Sequence, residues 1–159
     1  SDMIIKKSIE YDFIFGPAYK GITLASSISQ CLFTKYSVNK PYCFNRKEAK
    51  THGESGIFVG IQPSGNSLIV DDVISSGKSI EDSIKLLKQN DSTPFSVLVA
   101  FDRMEVGKKE RASTELSRDY NVTVNSIITL DDIINYIKSD SSLERHISDM
   151  EDYINEFKR

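Results

Sequence analysis

Six apolar runs of strand length, separated by helical patterns, constrain the fold of this chain more than any other feature of its sequence. The runs cover residues 11–15, 41–44, 57–61, 67–70, 95–101 and 122–128. Several are almost wholly apolar rather than alternating, which is typical of strands covered on both faces. Helices are expected over about 20–33, 79–87, 110–119, 143–157 and, after Asp131 and Asp132, through Ile137. This alternation predicts an α/β domain with a mainly parallel central sheet flanked by helices.

Length and composition narrow the class of protein. The 159 residues predict one domain covering 1–159. A net charge of −3 argues against a nucleic-acid partner, so any basic site must be local. Cys31 and Cys43 lack metal-ligand spacing and are expected to be reduced in a cytoplasmic protein. No apolar run approaches membrane-spanning length, so we expect no membrane partner.

The stretch LIVDDVISSGKSI, at 68–80, ends the fourth apolar run on two adjacent carboxylates, Asp71 and Asp72. Hydroxyl donors and a glycine follow in the same turn: Ser75, Ser76, Gly77 and Ser79. In parallel sheets, ligands bind beyond the carboxyl ends of the strands. The free N–H groups of the next helix favour an anion there, and a glycine allows close backbone approach. The turn therefore predicts a phosphate site.

The two aspartates would repel a phosphate, so they must face other groups. Sugar hydroxyls or a hydrated magnesium ion suit carboxylates, and the combination predicts a ribose 5-phosphate site. A Walker A loop is rejected because Asp72 stands where that motif needs glycine. The alternative is a strand end followed by a helix cap, and Ser79 with Asp82 does form a capping-box pattern.

Two further segments carry local positive charge. In FGPAYKG, at 15–21, glycines bound a turn from which Lys20 suits a pyrophosphate, although taken alone a plain turn with a solvated lysine is favoured. FNRKEAKTHGESG, at 44–56, places four basic residues within seven positions: Arg46, Lys47, Lys50 and His52. Such a glycine-hinged loop between two strands suits a lid over a polyanion. A solvated hairpin is the alternative.

LIVDDVISSGKSI resembles the phosphoribosyl-pyrophosphate signature of type I phosphoribosyltransferases, which implies their Rossmann-like α/β fold. Ser75, Ser76 and Gly77 stand where many members carry Thr-Ala-Gly. GPAYKG and FNRKEAKTHGESG resemble one branch of that family, the orotate phosphoribosyltransferases. That branch joins orotate to phosphoribosyl pyrophosphate, with magnesium, giving orotidine 5′-phosphate and pyrophosphate in pyrimidine (UMP) biosynthesis.

The resemblance also implies site residues. Those implied to contact phosphoribosyl pyrophosphate are Tyr19, Lys20, Arg46, Lys47, Lys50, His52, Asp71, Asp72, Val73, Ile74, Ser75, Ser76, Gly77, Lys78 and Ser79. Catalytic roles fall on Lys50, His52, Asp71 and Asp72, with the proton donor open between Lys50 and His52. Ser75 and Arg103 are implied to meet orotate. Magnesium would be held mainly through the substrate, with the two aspartates as the protein groups able to contribute.

The family further implies a homodimer in which the loop 44–56 acts in the neighbouring site, while Lys47 serves its own subunit. Members carry an N-terminal hood ahead of the first strand that is not recognisable in this chain, so we expect a cut or processed chain with a damaged orotate half-site. Two alternatives stay open. One is a non-catalytic nucleotide-sensing regulator on the same fold, which would have little use for the basic lid. The other is a purine-salvage transferase, for which Phe101 is the stacking residue unless it lies in the core.

Overall fold

The computed structural model describes residues 1–50 and 56–157, without the side chains of residues 49, 50 and 144. The strands are β1 Phe13–Gly16, β2 Tyr42–Lys50, β3 Gly56–Gly60, β4 Gly65–Ile74, β5 Ser92–Asp102 and β6 Thr123–Thr129. The helices are α1 Asp2–Lys6, α2 Lys20–Tyr36, α3 Lys78–Lys88, α4 Ala112–Tyr120, α5 Leu130–Ser139 and α6 Ile147–Phe157, with a 3₁₀ helix at Ser141–His146. Within the described ranges, no helix is long and apolar enough to cross a membrane.

The strands form one sheet in the order β3-β2-β1-β4-β5-β6. β2 and β3 pair antiparallel, and every other neighbouring pair is parallel. This arrangement confirms the α/β class and the mainly parallel sheet. The order reverses direction at β1 and β4, which is where ligands bind in open α/β sheets.

Helices cover both faces of the sheet, so the middle stretches of the central strands are largely apolar. All four residues of β1 are buried. Phe13 and Phe15 pack in the cluster that contains residues of α3 and α4, whereas Ile14 packs on the opposite side with residues of α1 and α2. Burying side chains of this size stabilises the fold by roughly 1.5–3 kcal/mol each. Successive side chains of β1 thus contribute to the core clusters on the two faces of the sheet in turn.

Two strands extend further than the apolar runs predicted. β4 continues through Asp71 and Asp72 to Ile74 because β5 pairs with it along that length, as far as Ile74 with Asp102. β2 continues to Lys50, which pairs with Gly56, so residues 44–50 are strand rather than the predicted loop. Both extensions pair with a neighbouring strand, and an apolar pattern in one segment cannot predict such pairing.

The capping box predicted at Ser79 and Asp82 is wrong. α3 begins at Lys78 after Gly77, without a side-chain cap among the described residues. Asp82 instead accepts a hydrogen bond of 2.7 Å from the Lys78 ammonium. The described chain has a capping box at α5, where Thr129 and Asp132 bond each other's backbone N–H groups.

The C-terminal elements also differ from the sequence pattern. Asp131 and Asp132 lie inside α5 rather than ahead of it. The last helix starts at Ile147, and the preceding residues form the 3₁₀ helix. Cys43 is buried and Cys31 is half-buried, and both are free thiols.

Candidate active site

Three chain segments meet at the carboxyl edge of the central strands. β1 leads into the turn before Lys20, and β4 leads into residues 75–77. β5 leads to Arg103, whose N–H donates to the Ile74 carbonyl at 3.0 Å. β4 pairs with both β1 and β5, so the sheet brings together the acid pair, the glycine turn and the arginine.

The acid pair has two different environments. Asp71 is half-buried, and its carboxylate accepts from the Asp72 N–H at 2.9 Å and the Ser79 hydroxyl at 3.3 Å. Burial first, and the Asp72 charge second, raise the pKa of Asp71. Burial would also raise the pKa of Asp72, but the hydrogen bond and charge of Lys20 outweigh it and lower that pKa. The pair therefore combines one carboxylate that is easier to protonate with one that stays ionised.

Lys20 opens α2 and points toward Asp72. Its Nζ lies 2.6 Å from Asp72 Oδ2, and the pKa of the ammonium is raised mainly by that hydrogen bond. The lysine side chain is 73% exposed, so it can also reach a ligand phosphate. The sequence placed Lys20 at the site but did not indicate this partner.

The turn after β4 presents the N-terminus of α3. Its first helical bond runs from the Glu81 N–H to the Gly77 carbonyl at 2.9 Å, which leaves the preceding N–H groups of the turn directed outward. Ser76, Lys78 and Ser79 are exposed and Ser75 is half-buried. Free N–H groups beside hydroxyls and an ammonium can bind a phosphate. Val73 is half-buried, whereas the Ile74 side chain lies in the core, so only its backbone faces the site.

Gly77 is required by the fold more than by a ligand. Its φ is +79°, a left-handed conformation that favours glycine. A Cβ there would lie 3.2 Å from Leu116 Cδ1 and 3.3 Å from Ala112 Cβ. The glycine therefore lets the turn approach α4, whereas the sequence had suggested an approach to the ligand.

The turn between β1 and α2 is also closely packed. A Cβ on Gly16 would collide with the Gly21 carbonyl, and one on Gly21 would lie 2.9 Å from the Val70 carbonyl. The peptide bond between Ala18 and Tyr19 is cis. The two glycines thus bring the start of α2 against β1 and β4.

β2 supplies the next part of the site. The Ala18 N–H donates to Asn45 Oδ1 at 3.0 Å, which joins β2 to the turn. Lys47 Nζ lies 4.6 Å from the centroid of the Tyr19 ring, itself 67% exposed. Sequence reasoning missed Asn45, although a polar side chain in the strand beside a glycine turn is the signal that indicates it.

The basic segment is partly described. Arg46 Nη1 donates to the Gly56 carbonyl at 3.2 Å, across the antiparallel pair of β2 and β3. The Lys50 side chain and His52 lie outside the described residues. The structure therefore places Lys47 beside Tyr19 and Arg46 on the β2–β3 hairpin, and the roles of Arg46, Lys50 and His52 stay predictions.

Arg103 has close partners that the sequence did not reveal. Its Nε donates to the Tyr153 hydroxyl at 2.7 Å, and its Nη2 lies 2.9 Å from Glu105 Oε1. Tyr153 belongs to α6, 50 residues away, so no local pattern could indicate the contact.

Phe101, the stacking residue of the purine-salvage alternative, is half-buried in β5 and belongs to neither core cluster. The structure therefore does not support a place for it in the core.

A metal site can be tested against the acid pair. In the part of the chain that the structure describes, no group of three or more His, Cys, Asp or Glu side chains is placed to hold a metal. Asp71 and Asp72 offer carboxylate oxygens, which suit magnesium, a cation that usually keeps several water or phosphate ligands. The pair fits a magnesium ion held mainly by substrate oxygens.

Comparisons with known proteins agree with this geometry. Residues 2–137 match the family described as phosphoribosyl transferase domain. The orotate phosphoribosyltransferase of Haemophilus influenzae is 44% identical over 151 residues, which cover 94% of this chain and 71% of that protein. That of Proteus mirabilis is 45% identical over the same shares. The crystal structure of the Francisella tularensis enzyme superposes with a TM-score of 0.81 at 32% identity, covering 99% of this chain and 76% of that one. Motifs, fold and comparisons together show that the chain belongs to the orotate phosphoribosyltransferase family.

Proposed function

We propose that this chain transfers the phosphoribosyl group of phosphoribosyl pyrophosphate to orotate in a magnesium-dependent reaction, releasing pyrophosphate. The product would be orotidine 5′-phosphate, in pyrimidine (UMP) biosynthesis. Support comes from relatives named orotate phosphoribosyltransferase that are 44% and 45% identical. We further propose that residues 1–159 act as one domain in the cytoplasm.

The acid pair and the following turn are assigned to the ribose phosphate. Asp71 and Asp72 would accept hydrogen bonds from the ribose hydroxyls. Residues 73–79 would surround the 5′-phosphate, with the N–H groups of the turn and the hydroxyls of Ser75, Ser76 and Ser79 as donors. The half-buried position of Asp71, beside Ser79 at 3.3 Å, supports this assignment because it joins the two parts of one ligand site.

Magnesium would be held near the acid pair and would neutralise charge on the leaving pyrophosphate. The chain's own cations would contribute to the same task. Lys20 is bonded to Asp72, and Lys47 packs over Tyr19, so both extend from fixed positions at this edge. Each such charge at 4 Å from a phosphate interacts by roughly 4 kcal/mol at an effective dielectric near 20.

The lid residues are assigned to the departing pyrophosphate. Arg46, Lys50 and His52 would approach from the β2–β3 hairpin, and Lys50 or His52 would donate a proton to the leaving oxygen. We propose that this hairpin acts in the site of a second copy of the chain, in a homodimer, while Lys47 serves its own subunit. The antiparallel pairing of β2 and β3 up to Lys50 and Gly56 supports a projecting arm of this kind.

The acceptor is assigned to Arg103 and Ser75. The planar guanidinium suits the carboxylate of orotate. The bond between the Arg103 N–H and the Ile74 carbonyl sets this residue beside the turn that begins at Ser75. The acceptor nitrogen would attack the anomeric carbon from the face opposite pyrophosphate, so positioning of both reactants is the main task of the site.

The acid pair next to Lys20 and the α3 N-terminus is the observation that carries this proposal. We expect orotate consumption, followed by ultraviolet absorbance, to require orotate, phosphoribosyl pyrophosphate and magnesium. Asp71→Asn with Asp72→Asn should weaken donor binding in the presence of magnesium. Glu10→Gln, an exposed carboxylate ahead of β1, is the control. Donor binding unchanged in the double variant would overturn the ribose assignment.

A further inference from the structure

We propose that Tyr153, on α6, is a positioning residue that fixes the Arg103 guanidinium for the acceptor's carboxylate. The inference rests on the role proposed above for Arg103. It concerns a residue of the last helix, which the sequence motifs of the site do not include.

Three groups form a closed set of contacts. Arg103 Nε donates to the Tyr153 hydroxyl at 2.7 Å, and that hydroxyl donates to Glu105 Oε1 at 2.6 Å. Arg103 Nη2 reaches the same Glu105 oxygen at 2.9 Å. The guanidinium carbon also lies 5.3 Å from the centroid of the Tyr153 ring. The tyrosine thus contacts the arginine through both its hydroxyl and its ring.

The backbone holds both sides of this set. The Arg103 N–H bonds to Ile74 at the end of β4, and the Val106 N–H bonds to the Phe157 carbonyl at 3.0 Å, at the end of α6. The rings of Tyr153 and Phe157 pack with centroids 4.9 Å apart. α6 is therefore docked on the segment that carries Arg103.

The contacts select one edge of the guanidinium. Tyr153 contacts Nε and Glu105 contacts Nη2, so among the described residues Nη1 and the second N–H of Nη2 are left to meet a carboxylate. Recognition through two parallel bonds needs a fixed plane, which a long, half-exposed side chain does not have alone. Burial first, and Glu105 second, raise the pKa of Tyr153, so its hydroxyl stays a donor at neutral pH.

Glu105 also affects the orientation of the Arg103 guanidinium. Its carboxylate would otherwise attract the guanidinium toward itself and away from a ligand. The Tyr153 hydroxyl gives Arg103 Nε a second partner and occupies Glu105 Oε1, accepting from Arg103 and donating to Glu105. Removing that hydroxyl leaves the ion pair between Arg103 and Glu105 to set the orientation of the guanidinium.

Binding of orotidine 5′-phosphate and of uridine 5′-phosphate tests this inference, because the two ligands differ only in the carboxylate. Titration calorimetry on Tyr153→Phe should show a three- to tenfold loss of affinity for orotidine 5′-phosphate, roughly the effect of one hydrogen bond. Affinity for uridine 5′-phosphate should not change. Tyr136→Phe, on the 65% exposed tyrosine of α5, is the matched control and should change neither.

Two further variants separate the positioning role of Tyr153 from the acceptor role of Arg103. Tyr153→Leu, which also removes the ring, should lose at least as much carboxylate preference. Arg103→Ala should abolish that preference. If Arg103→Ala loses it but both Tyr153 variants keep it, the positioning role is wrong and the proposed function stands. If the wild-type chain binds both nucleotides equally, or Arg103→Ala keeps the preference, the acceptor assignment of Arg103 is wrong and the inference falls with it.

Discussion

Lys20 Nζ lies 2.6 Å from Asp72 Oδ2, and this ion pair joins the turn assigned to pyrophosphate to the strand end assigned to ribose. The two residues are 52 positions apart in the sequence. Parallel pairing of β1 with β4 brings their segments to one edge, so the pair is a product of topology. The contact also lowers the pKa of Asp72.

Lys20→Met should raise the pKa of Asp72 toward its ordinary value of 3.8, because the lysine is what holds it lower. A carboxylate with a lowered folded pKa stabilises the fold above its ordinary pKa and loses that contribution as pH falls through the folded value. As pH falls below 3.8, the free energy of unfolding should therefore decrease less in the variant than in the wild type.

Carboxyl-carbon NMR titration of Asp72 measures this change directly. Lys88→Met, which removes a lysine packed over Tyr120, is the control and should leave the Asp72 titration as it is in wild type. An Asp72 pKa that does not move in Lys20→Met would show that the ion pair does not form in solution.

Tyr19→Ala should weaken binding of phosphoribosyl pyrophosphate about two- to fivefold, because the ring under the Lys47 ammonium contributes roughly 0.5–1 kcal/mol at an exposed site. Tyr19→Phe keeps the ring and should bind like wild type. Calorimetric titration with the donor and magnesium compares the two. Equal losses in both variants would assign the effect to the hydroxyl instead.

The α/β fold could be predicted from the sequence because nearly wholly apolar runs indicate strands that are buried on both faces. Phe13 to Phe15 and Leu68 to Val70 are buried in β1 and β4 as their composition predicts. The acid pair and the serine turn could be singled out because they are local features, although Asp71 and Asp72 lie inside β4 and α3 starts at Lys78, and their assignment to a ligand stays a prediction. These parts of the site follow from residues that are adjacent in the chain.

The remaining parts depend on contacts between distant segments. β4 extends to Ile74 where β5 pairs with it, and Asp82 is not at a capping position because α3 begins at Lys78 after Gly77. The contacts of Arg103 with Tyr153 link residues of a strand end and the last helix. Local patterns carry no record of such partners, so each of these features required the structure.

Gly77→Ala should destabilise the fold by about 1–3 kcal/mol, because alanine is strained at a φ of +79° and its Cβ would press on Leu116 and Ala112. Gly56→Ala is the control for backbone strain, because its φ of +118° also disfavours alanine while nothing lies within 4 Å of the added Cβ among the described residues. Urea unfolding should show the larger loss at Gly77. A loss at Gly77 no greater than at Gly56 would mean that α4 moves to accommodate the methyl group.

Lys50→Ala should lower turnover about 100-fold while changing donor affinity much less, because a cation that meets the departing pyrophosphate acts mainly in the transition state. Lys50 pairs with Gly56 across the hairpin that would carry it to the site. Steady-state kinetics on Lys50→Ala, His52→Ala and the control Lys138→Ala separate the two proton-donor assignments. If His52 is the donor, His52→Ala should show the larger fall in turnover and lose the alkaline limb of the pH profile, because a proton donor must be protonated to act. Turnover equal to wild type in Lys50→Ala would reject a lid that includes this lysine.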